Sequence, residues 1–316
     1  MSSTPADGST PSTVTSPATS TPPSSASSAA PSDASSTAAH ATPSSASPVR
    51  RTKLPLVARR LQVLRVTDLS ASMRRVALGG PELAGFRADG PTDHAKVWFP
   101  PDGRPDDAPL LPTEVDGAWV APDGAVCRDY SIRTVDPAAG EVVLDMAVHA
   151  HGPAGRWAAQ AQPGQQLGLL GPKTTKIPPM DRDWYLFAVD ETGLPGLQNW
   201  LEQLPSGPRV RVLAEVGGAA DEVPLPARDD AEVTWLHRGD APAGTTTLLA
   251  DAVRAELATV PDGAAGWFWS AAEAMVVRTI RQHVAERGLD RRSCGMTGYW
   301  RRGVANFDHK SEDGQA

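Results

Sequence analysis

Cysteine is nearly absent from this chain: Cys127 and Cys294 are the whole complement of its 316 residues. They form no Cys-x-x-Cys pair and cannot supply the four thiolates of an iron–sulfur cluster, and two isolated positions define no disulfide. Long apolar runs are absent too. The chain lacks the basic start and apolar core of a secretory signal and any stretch long enough to span a bilayer, which points to a cytoplasmic protein. An excess of positive charge is missing; the formal net charge of −7 argues against a nucleic-acid partner. Large apolar residues are scarce in residues 1–48, where Ser, Thr, Ala and Pro dominate. Such a segment cannot bury enough surface to offset the entropy of ordering, so residues 1–50 read as a disordered tail. A metal site is not expected: His149 and His151 flank one turn, but no Cys, Asp or Glu cluster completes a ligand set.

Among the residues that are present, the run Arg128-Asp129-Tyr130-Ser131-Ile132-Arg133 stands out. On a strand, Arg128, Tyr130 and Ile132 share one face and Ser131 and Arg133 the other. This suits a flavin nucleotide: a guanidinium fork for pyrophosphate, a tyrosine ring beside the flavin, a hydroxyl for its polar edge. An ordinary half-exposed strand would look similar. Cys127, next to Arg128, is expected to be packed rather than reactive. Downstream, Val142, Leu144, Met146 and Val148 alternate with Val143, Asp145, Ala147 and His149, and the strand breaks at Gly152-Pro153. Pro153 suits a first helical position, and Gly152 and Gly155 leave room beside the backbone. The helix start at Gly152, Pro153, Ala154 and Gly155 can therefore grip the pyrophosphate that Arg128 neutralises, although a plain strand-turn-helix junction has the same form.

The second half alternates strands and helices. Strands are expected at Trp184 to Val189, Arg209 to Val216, Glu232 to His237 and Gly266 to Ser270. Helices are expected from Leu194 to Leu204, ended by Pro205 and Gly207, and around Leu248 to Leu257 and Val276 to Val284. This predicts a parallel sheet whose ligand crevice lies beyond the carboxyl ends of its strands. Asp190, Glu191, Thr192, Glu215, His237, Arg238 and Glu273 fall at those ends, each with a plain alternative as a cap or solvated turn residue. No Gly-x-Gly-x-x-Gly follows the first strand, so the ordinary dinucleotide fingerprint is missing. Arg238 and Arg211 are candidates to meet a 2′-phosphate, or are solvated charges.

In order along the chain, Asp93-His94-Ala95-Lys96, the Arg128–Arg133 run, His149 through Gly152-Pro153-Ala154 to Trp157-Ala158, Gly171-Pro172, Asp190-Glu191-Thr192, Trp235-Leu236-His237-Arg238, Ala272-Glu273-Ala274 and Gly298-Tyr299-Trp300-Arg301-Arg302-Gly303 resemble the siderophore-interacting proteins. These are ferric-siderophore reductases of the ferredoxin-reductase-like flavoprotein superfamily, and the likeness runs from Leu61 to Gly303. Ala272-Glu273 departs from the Gly-Glu usual there. The resemblance implies two domains, an antiparallel β-barrel holding FAD (51–178) and a parallel-sheet α/β domain of nicotinamide-nucleotide-binding type (179–304), with a flexible tail at 305–316. It implies passage of electrons from NADH, NADPH or ferredoxin through FAD to siderophore-bound ferric iron, with no side chain acting as nucleophile. Trp157, Asp190, Thr192, Glu273, Tyr299 and Trp300 join the cofactor candidates; Tyr299 and Trp300 either cover the flavin or are core aromatics of the last strand. An anionic tris-catecholate substrate would call for cations, for which Lys96, Lys173, Lys176, Arg301 and Arg302 are candidates. A general flavin or ferredoxin reductase and a non-catalytic, flavin-bound siderophore-binding protein are the alternatives.

Overall fold

The computed structural model describes residues 47–101, 104–150, 152–261 and 263–308. Most of the expected N-terminal tail, His151 and the last residues of the expected C-terminal tail lie outside these. The final residues of the N-terminal stretch are tied down: Ser47 donates from N and Oγ to Asp181 Oδ2 at 3.3 and 2.6 Å, and its carbonyl accepts from Arg182 Nη2 at 2.9 Å.

The first half contains strands β1 (Arg50–Lys53), β2 (Ala58–Asp68), β3 (Met73–Gly79), β4 (His94–Phe99), β5 (Thr113–Val115), β6 (Ala118–Val120), β7 (Val126–Ser131), β8 (Thr134–Asp136) and β9 (Glu141–Ala147), helix α1 (Gly152–Gln160), then β10 (Gln166–Leu170) and β11 (Thr174–Ile177). Seven strands form an antiparallel sheet in the order β7-β4-β10-β2-β3-β9-β8, while β1 pairs with β11 and β5 with β6. The side chains alternate as period two demands: in β2, Leu61 and Val63 are buried between exposed Arg60, Gln62 and Leu64. The two edge strands of this sheet, β7 and β8, follow one another in the chain, and between them Arg133 N donates to Val143 O of β9 at 2.9 Å. Val76, Val97, Val142, Leu144, Leu167 and Leu169 fill the barrel interior, and α1 lays Ala154, Trp157 and Ala158 on the same core.

The second half contains β12 (Trp184–Val189), α2 (Leu194–Gln203), β13 (Arg209–Val216), β14 (Ala231–His237), α3 (Leu248–Leu257), β15 (Gly266–Glu273), α4 (Ala274–Glu286) and β16 (Cys294–Trp300). All five strands are parallel, in the order β14-β13-β12-β15-β16. Both faces are covered, so the central strands are continuously apolar. Alternation in β12 sends Tyr185, Phe187 and Val189 toward α2, and Trp184, Leu186 and Ala188 toward α3 and α4. Trp200 of α2 sits 5.2 Å from Phe187 and 6.0 Å from Tyr185, ring centre to ring centre; burying a ring of this size contributes roughly 1.5–3 kcal/mol.

The halves meet along α2. That helix turns leucines to its own sheet and a polar row, Gln198, Asn199 and Glu202, to the barrel. Asn199 Nδ2 donates to Ile132 O at 2.8 Å and to Pro91 O at 3.1 Å. The same helix that covers the parallel sheet thus also holds the end of the barrel strand β7.

Candidate functional site

The Arg128–Arg133 run forms β7 and its exit, and its two faces do different work. On the inner face Tyr130 and Ile132 pack against the barrel core. The Tyr130 ring lies 6.1 Å from Phe99, which meets Trp157 of α1 edge-on at 5.7 Å, so three rings lock β7, β4 and α1 together. Burial pushes the Tyr130 hydroxyl well above the ordinary tyrosine range, with Arg128 opposing. Arg128 Nη1 donates to Cys127 O at 2.6 Å and to Asn306 Oδ1 at 3.3 Å, which brings the segment after β16 back onto β7. Burial raises the Cys127 thiol, which keeps it from acting as a thiolate at neutral pH.

Beside these rings α1 begins at Gly152, held at φ +73° with nothing within 4 Å of where a side chain would start. Pro153 follows, and the first-turn N–H groups have no partner within the helix. Gly155 faces His149: a Cβ there would stand 2.5 Å from the imidazole and 2.6 Å from the His149 carbonyl. The strand-to-helix turn can close this tightly only over a glycine. Open space at a helix N-terminus, beside the guanidinium-bearing strand, fits the pyrophosphate of FAD.

The other face of β7 looks to the α/β half. Ser131 is buried and hydrogen bonded to the hydroxyl of Tyr299 at the end of β16. Burial, reinforced by the charge of Asp190 and opposed by that bond, pushes the Tyr299 hydroxyl up to about 12. Arg133, a cofactor candidate in the sequence, reaches α2. Its Nε donates to Gln198 Oε1 at 2.5 Å, its Nη1 to Asn199 Oδ1 at 3.1 Å and Glu202 Oε2 at 2.8 Å, and its Nη2 to Glu202 Oε1. All three guanidinium nitrogens are engaged by α2, which makes Arg133 a clamp between the halves. Arg75 adds a second strut, bidentate to buried Asp145 at 2.7 Å and 3.2 Å from Gln198 Oε1. Gln198, Asn199, Glu202, Arg75 and Asn306 were not singled out in the sequence; a polar row on a leucine-rich helix was the available signal.

At the carboxyl end of the parallel sheet the expected acidic residues are buried and bonded to one another's backbone. Asp190 Oδ1 accepts from Thr192 N at 2.9 Å and Thr192 Oγ1 at 2.6 Å; Oδ2 accepts from Glu273 N at 2.9 Å and Trp300 Nε1 at 2.8 Å. Burial, and then the neighbouring charge of Glu191, push Asp190 up to about 7 against these donors. Glu273 Oε2 caps α4 through Met275 N at 2.5 Å and Val276 N at 3.1 Å, and its Oε1 accepts from Arg302 N at 3.2 Å. Glu273 therefore occupies the start of α4, and Asp190 with Thr192 closes the turn before α2. Arg238 pairs with Glu191 at 2.5 Å. Arg211 lies toward the opposite end of the sheet, held by Glu232 at 2.5 Å and Glu256 at 3.0 Å, away from any ligand at the strand ends.

The candidate cations divide. Lys96 on β4 stands opposite Asp129 of β7 and pairs with it at 3.2 Å. The turn carrying Arg301 and Arg302 is anchored at Trp300 and Glu273 on one side and reaches β7 through Asn306 on the other, so Lys96, Arg301 and Arg302 belong to the surroundings of one strand. Lys173 and Lys176 are exposed on the connection into and along β11. Buried Asp93 ties that connection down, accepting from Asp89 N and Gly90 N at 3.0 Å and Lys176 N at 3.1 Å. Among the described residues no group of His, Cys, Asp and Glu is placed to hold a metal ion, and no helix is long and apolar enough to cross a membrane.

An antiparallel barrel with an open helix start, followed by a five-stranded parallel sheet that touches β7, is the fold of the ferredoxin reductase in carbazole 1,9a-dioxygenase, which superposes with a TM-score of 0.54 at 15% identity. Within that fold class the chain belongs to the siderophore-interacting protein family: residues 62–176 match the siderophore-interacting FAD-binding domain and 182–303 the siderophore-interacting protein domain. It is 32% identical over 257 residues to the NADPH-dependent ferric-chelate reductase of Escherichia coli, covering 79% of this chain and 96% of that protein. It is 32% identical over 208 residues to the ferric vibriobactin reductase ViuB of Vibrio cholerae, covering 65% and 74% of the two. The crystal structure of a siderophore utilization protein from T. fusca superposes with a TM-score of 0.77 at 41% identity, covering 83% of this chain and all of that one.

Proposed function

We propose that this protein is a cytoplasmic, FAD-dependent ferric-siderophore reductase that passes electrons from a nicotinamide nucleotide to siderophore-bound Fe(III) and releases Fe(II). Likeness along both halves to a relative named as an NADPH-dependent ferric-chelate reductase carries the reading. Bound FAD would supply the link between a two-electron hydride donor and a one-electron metal acceptor, so that one nicotinamide oxidised corresponds to two ferric ions reduced. The chain's own residues bind and orient. The start of α1 and Arg128 would hold the pyrophosphate, the Tyr130–Phe99–Trp157 rings stiffen the junction of β7, β4 and α1, and Ser131 with Tyr299 joins β7 to the α/β half. The donor approaches through the crevice beyond the strand ends of that half. Lys96, Arg301 and Arg302 attract an anionic chelate, and Lys173 and Lys176 extend the positive charge along the barrel. Hard oxygen ligands hold ferric iron far more tightly than ferrous iron, so reduction unloads the siderophore.

The test is anaerobic: the visible spectrum of the protein with FAD, then NADPH, NADH or reduced ferredoxin, then ferric tris-catecholate with a ferrous-specific trap. The expected result is bleaching by a donor and recovery of colour as ferrous iron accumulates. Turnover of artificial acceptors with no preference for ferric chelates would favour a general reductase. Chelate binding without reduction by any donor would favour a binding protein, and failure to bind FAD would remove the proposal.

A further inference from the structure

One buried carboxylate collects donors from three separate parts of the α/β half. Asp190, at the end of β12, accepts from Thr192 in the turn that follows, from the backbone N–H of Glu273 at the end of β15, and from the indole of Trp300 at the end of β16. Glu273 passes the connection on through Arg302 N. The loop before α3 seals the assembly: a Cβ on Gly244 would fall 2.6 Å from Glu273 Cγ and 3.2 Å from Trp300 Cη2, so no side chain fits between them. Beyond Trp300 the chain makes a short turn, with Val304 N bonded to Arg301 O at 3.0 Å, and comes down on Arg128 of β7 through Asn306. The turn that carries Arg301 and Arg302 thus bridges the parallel sheet and the flavin strand, and its fixed end is the indole held by Asp190.

We propose that Asp190 is a positioning residue for the ferric chelate: by holding Trp300, and Glu273 with it, Asp190 sets the direction of the Arg301–Arg302 turn toward an anionic ligand beside β7. This rests on the reading of that turn as the chelate-binding rim. The indole N–H can only donate, so its bond to the buried Asp190 carboxyl oxygen is directional. Without it the turn keeps its sequence and charge and loses one of its anchors.

The experiment measures KM on the FAD-loaded protein for two ferric chelates, the anionic tris-catecholate formed with 2,3-dihydroxybenzoate and a neutral tris-hydroxamate. Trp300→Phe removes the indole donor and keeps a ring; Asp190→Asn replaces one acceptor oxygen with a donor. Each is expected to raise the KM for the anionic chelate about 3- to 15-fold relative to the neutral one, the scale of one lost hydrogen bond. Added to the pair Arg301→Ala with Arg302→Ala, Asp190→Asn should cause no further loss. An equal rise in both KM values, or an additive loss on top of that pair, would overturn the proposal. If Arg301→Ala and Arg302→Ala leave the anionic KM untouched, the rim itself is misread and both readings fall. If those two raise it while Trp300→Phe does not, the rim stands and only the role of Asp190 falls.

Discussion

Replacing Arg133 with Met would separate a clamp from a cofactor ligand. The guanidinium is 8% exposed and engages Gln198, Asn199 and Glu202. Breaking a buried pair by removing one partner costs about 3–5 kcal/mol. Here the Glu202 side chain is 44% exposed and regains water, which lowers that figure. Gln198 Oε1 keeps Arg75 as a donor. Asn199 Oδ1 is left buried without its donor, a cost of about 1–3 kcal/mol. The balance is a loss of roughly 2–4 kcal/mol, or about 5–15 °C in the unfolding midpoint at 2–4 °C per kcal/mol for a chain of this size. The assay is thermal and urea unfolding of the FAD-free protein, alongside an FAD titration. Glu202→Gln alone should cost less than about 1.5 kcal/mol and add nothing once Arg133 is gone, so the pair should be non-additive by about 0.5–1.5 kcal/mol. Stability within about 0.5 kcal/mol of the parent combined with weakened FAD binding would refute the reasoning and assign Arg133 to the flavin.

Gly155→Ala forces a methyl to within 2.5 Å of His149 and 2.6 Å of its carbonyl; FAD titration should give at least about 10-fold weaker binding, with a stability loss of about 1–3 kcal/mol in urea, and unaltered binding would clear this turn of any role in holding phosphate. Lys96→Ala should raise the KM for ferric tris-catecholate about 3- to 10-fold, consistent with a partly solvated charge contact; Lys96→Ala and Lys173→Ala both leaving it unchanged would remove the proposed cations on the barrel side. Asp190, raised from the ordinary value near 3.9 to about 7, binds a proton in the native state that the unfolded chain has already released, so its contribution to stability is full below about pH 4 and fades as pH rises through 7. The stability difference between the parent and Asp190→Asn should accordingly shrink from about pH 4 to pH 7 in urea titrations, and a difference that stays flat or widens would show that the four donors outweigh burial.

Elements whose stability is local were legible in the sequence. The strands from Trp184 to Val189 and Arg209 to Val216, and the helix from Leu248 to Leu257, coincide with the expected spans, because apolar periodicity and flanking breakers fix them. The fourth strand runs on to Glu273 instead of ending at Ser270, since Ala271 and Ala272 pair with β16 beyond any local breaker. The strand order of the barrel and the bond from Arg133 N to Val143 O depend on pairings that leave no local trace. The alternation in β7 correctly separated Tyr130 and Ile132 from Ser131 and Arg133. It could not tell what either face meets, because Gln198 to Glu202 lie 65 to 69 residues away.

The same distance problem applies to the acidic residues at the strand ends. Taken singly, Asp190, Thr192 and Glu273 sit where a parallel sheet binds ligands. Their bonding partners, 83 and 110 residues along the chain from Asp190, turn them into a scaffold in which Glu273 caps α4 and Asp190 closes the turn before α2. A phosphate at the start of α4 would meet the Glu273 side chain already bonded there, whereas the start of α1 presents a left-handed glycine and open space. Any donor nucleotide must then be held chiefly by shape and by backbone along the crevice, which predicts a weaker dependence of donor KM on ionic strength than of anionic-chelate KM. Initial rates across a salt series, with each substrate varied in turn, decide the point; a donor KM rising as steeply as that of the chelate would mean that cations at the strand ends, Arg238 foremost, hold the nucleotide after all.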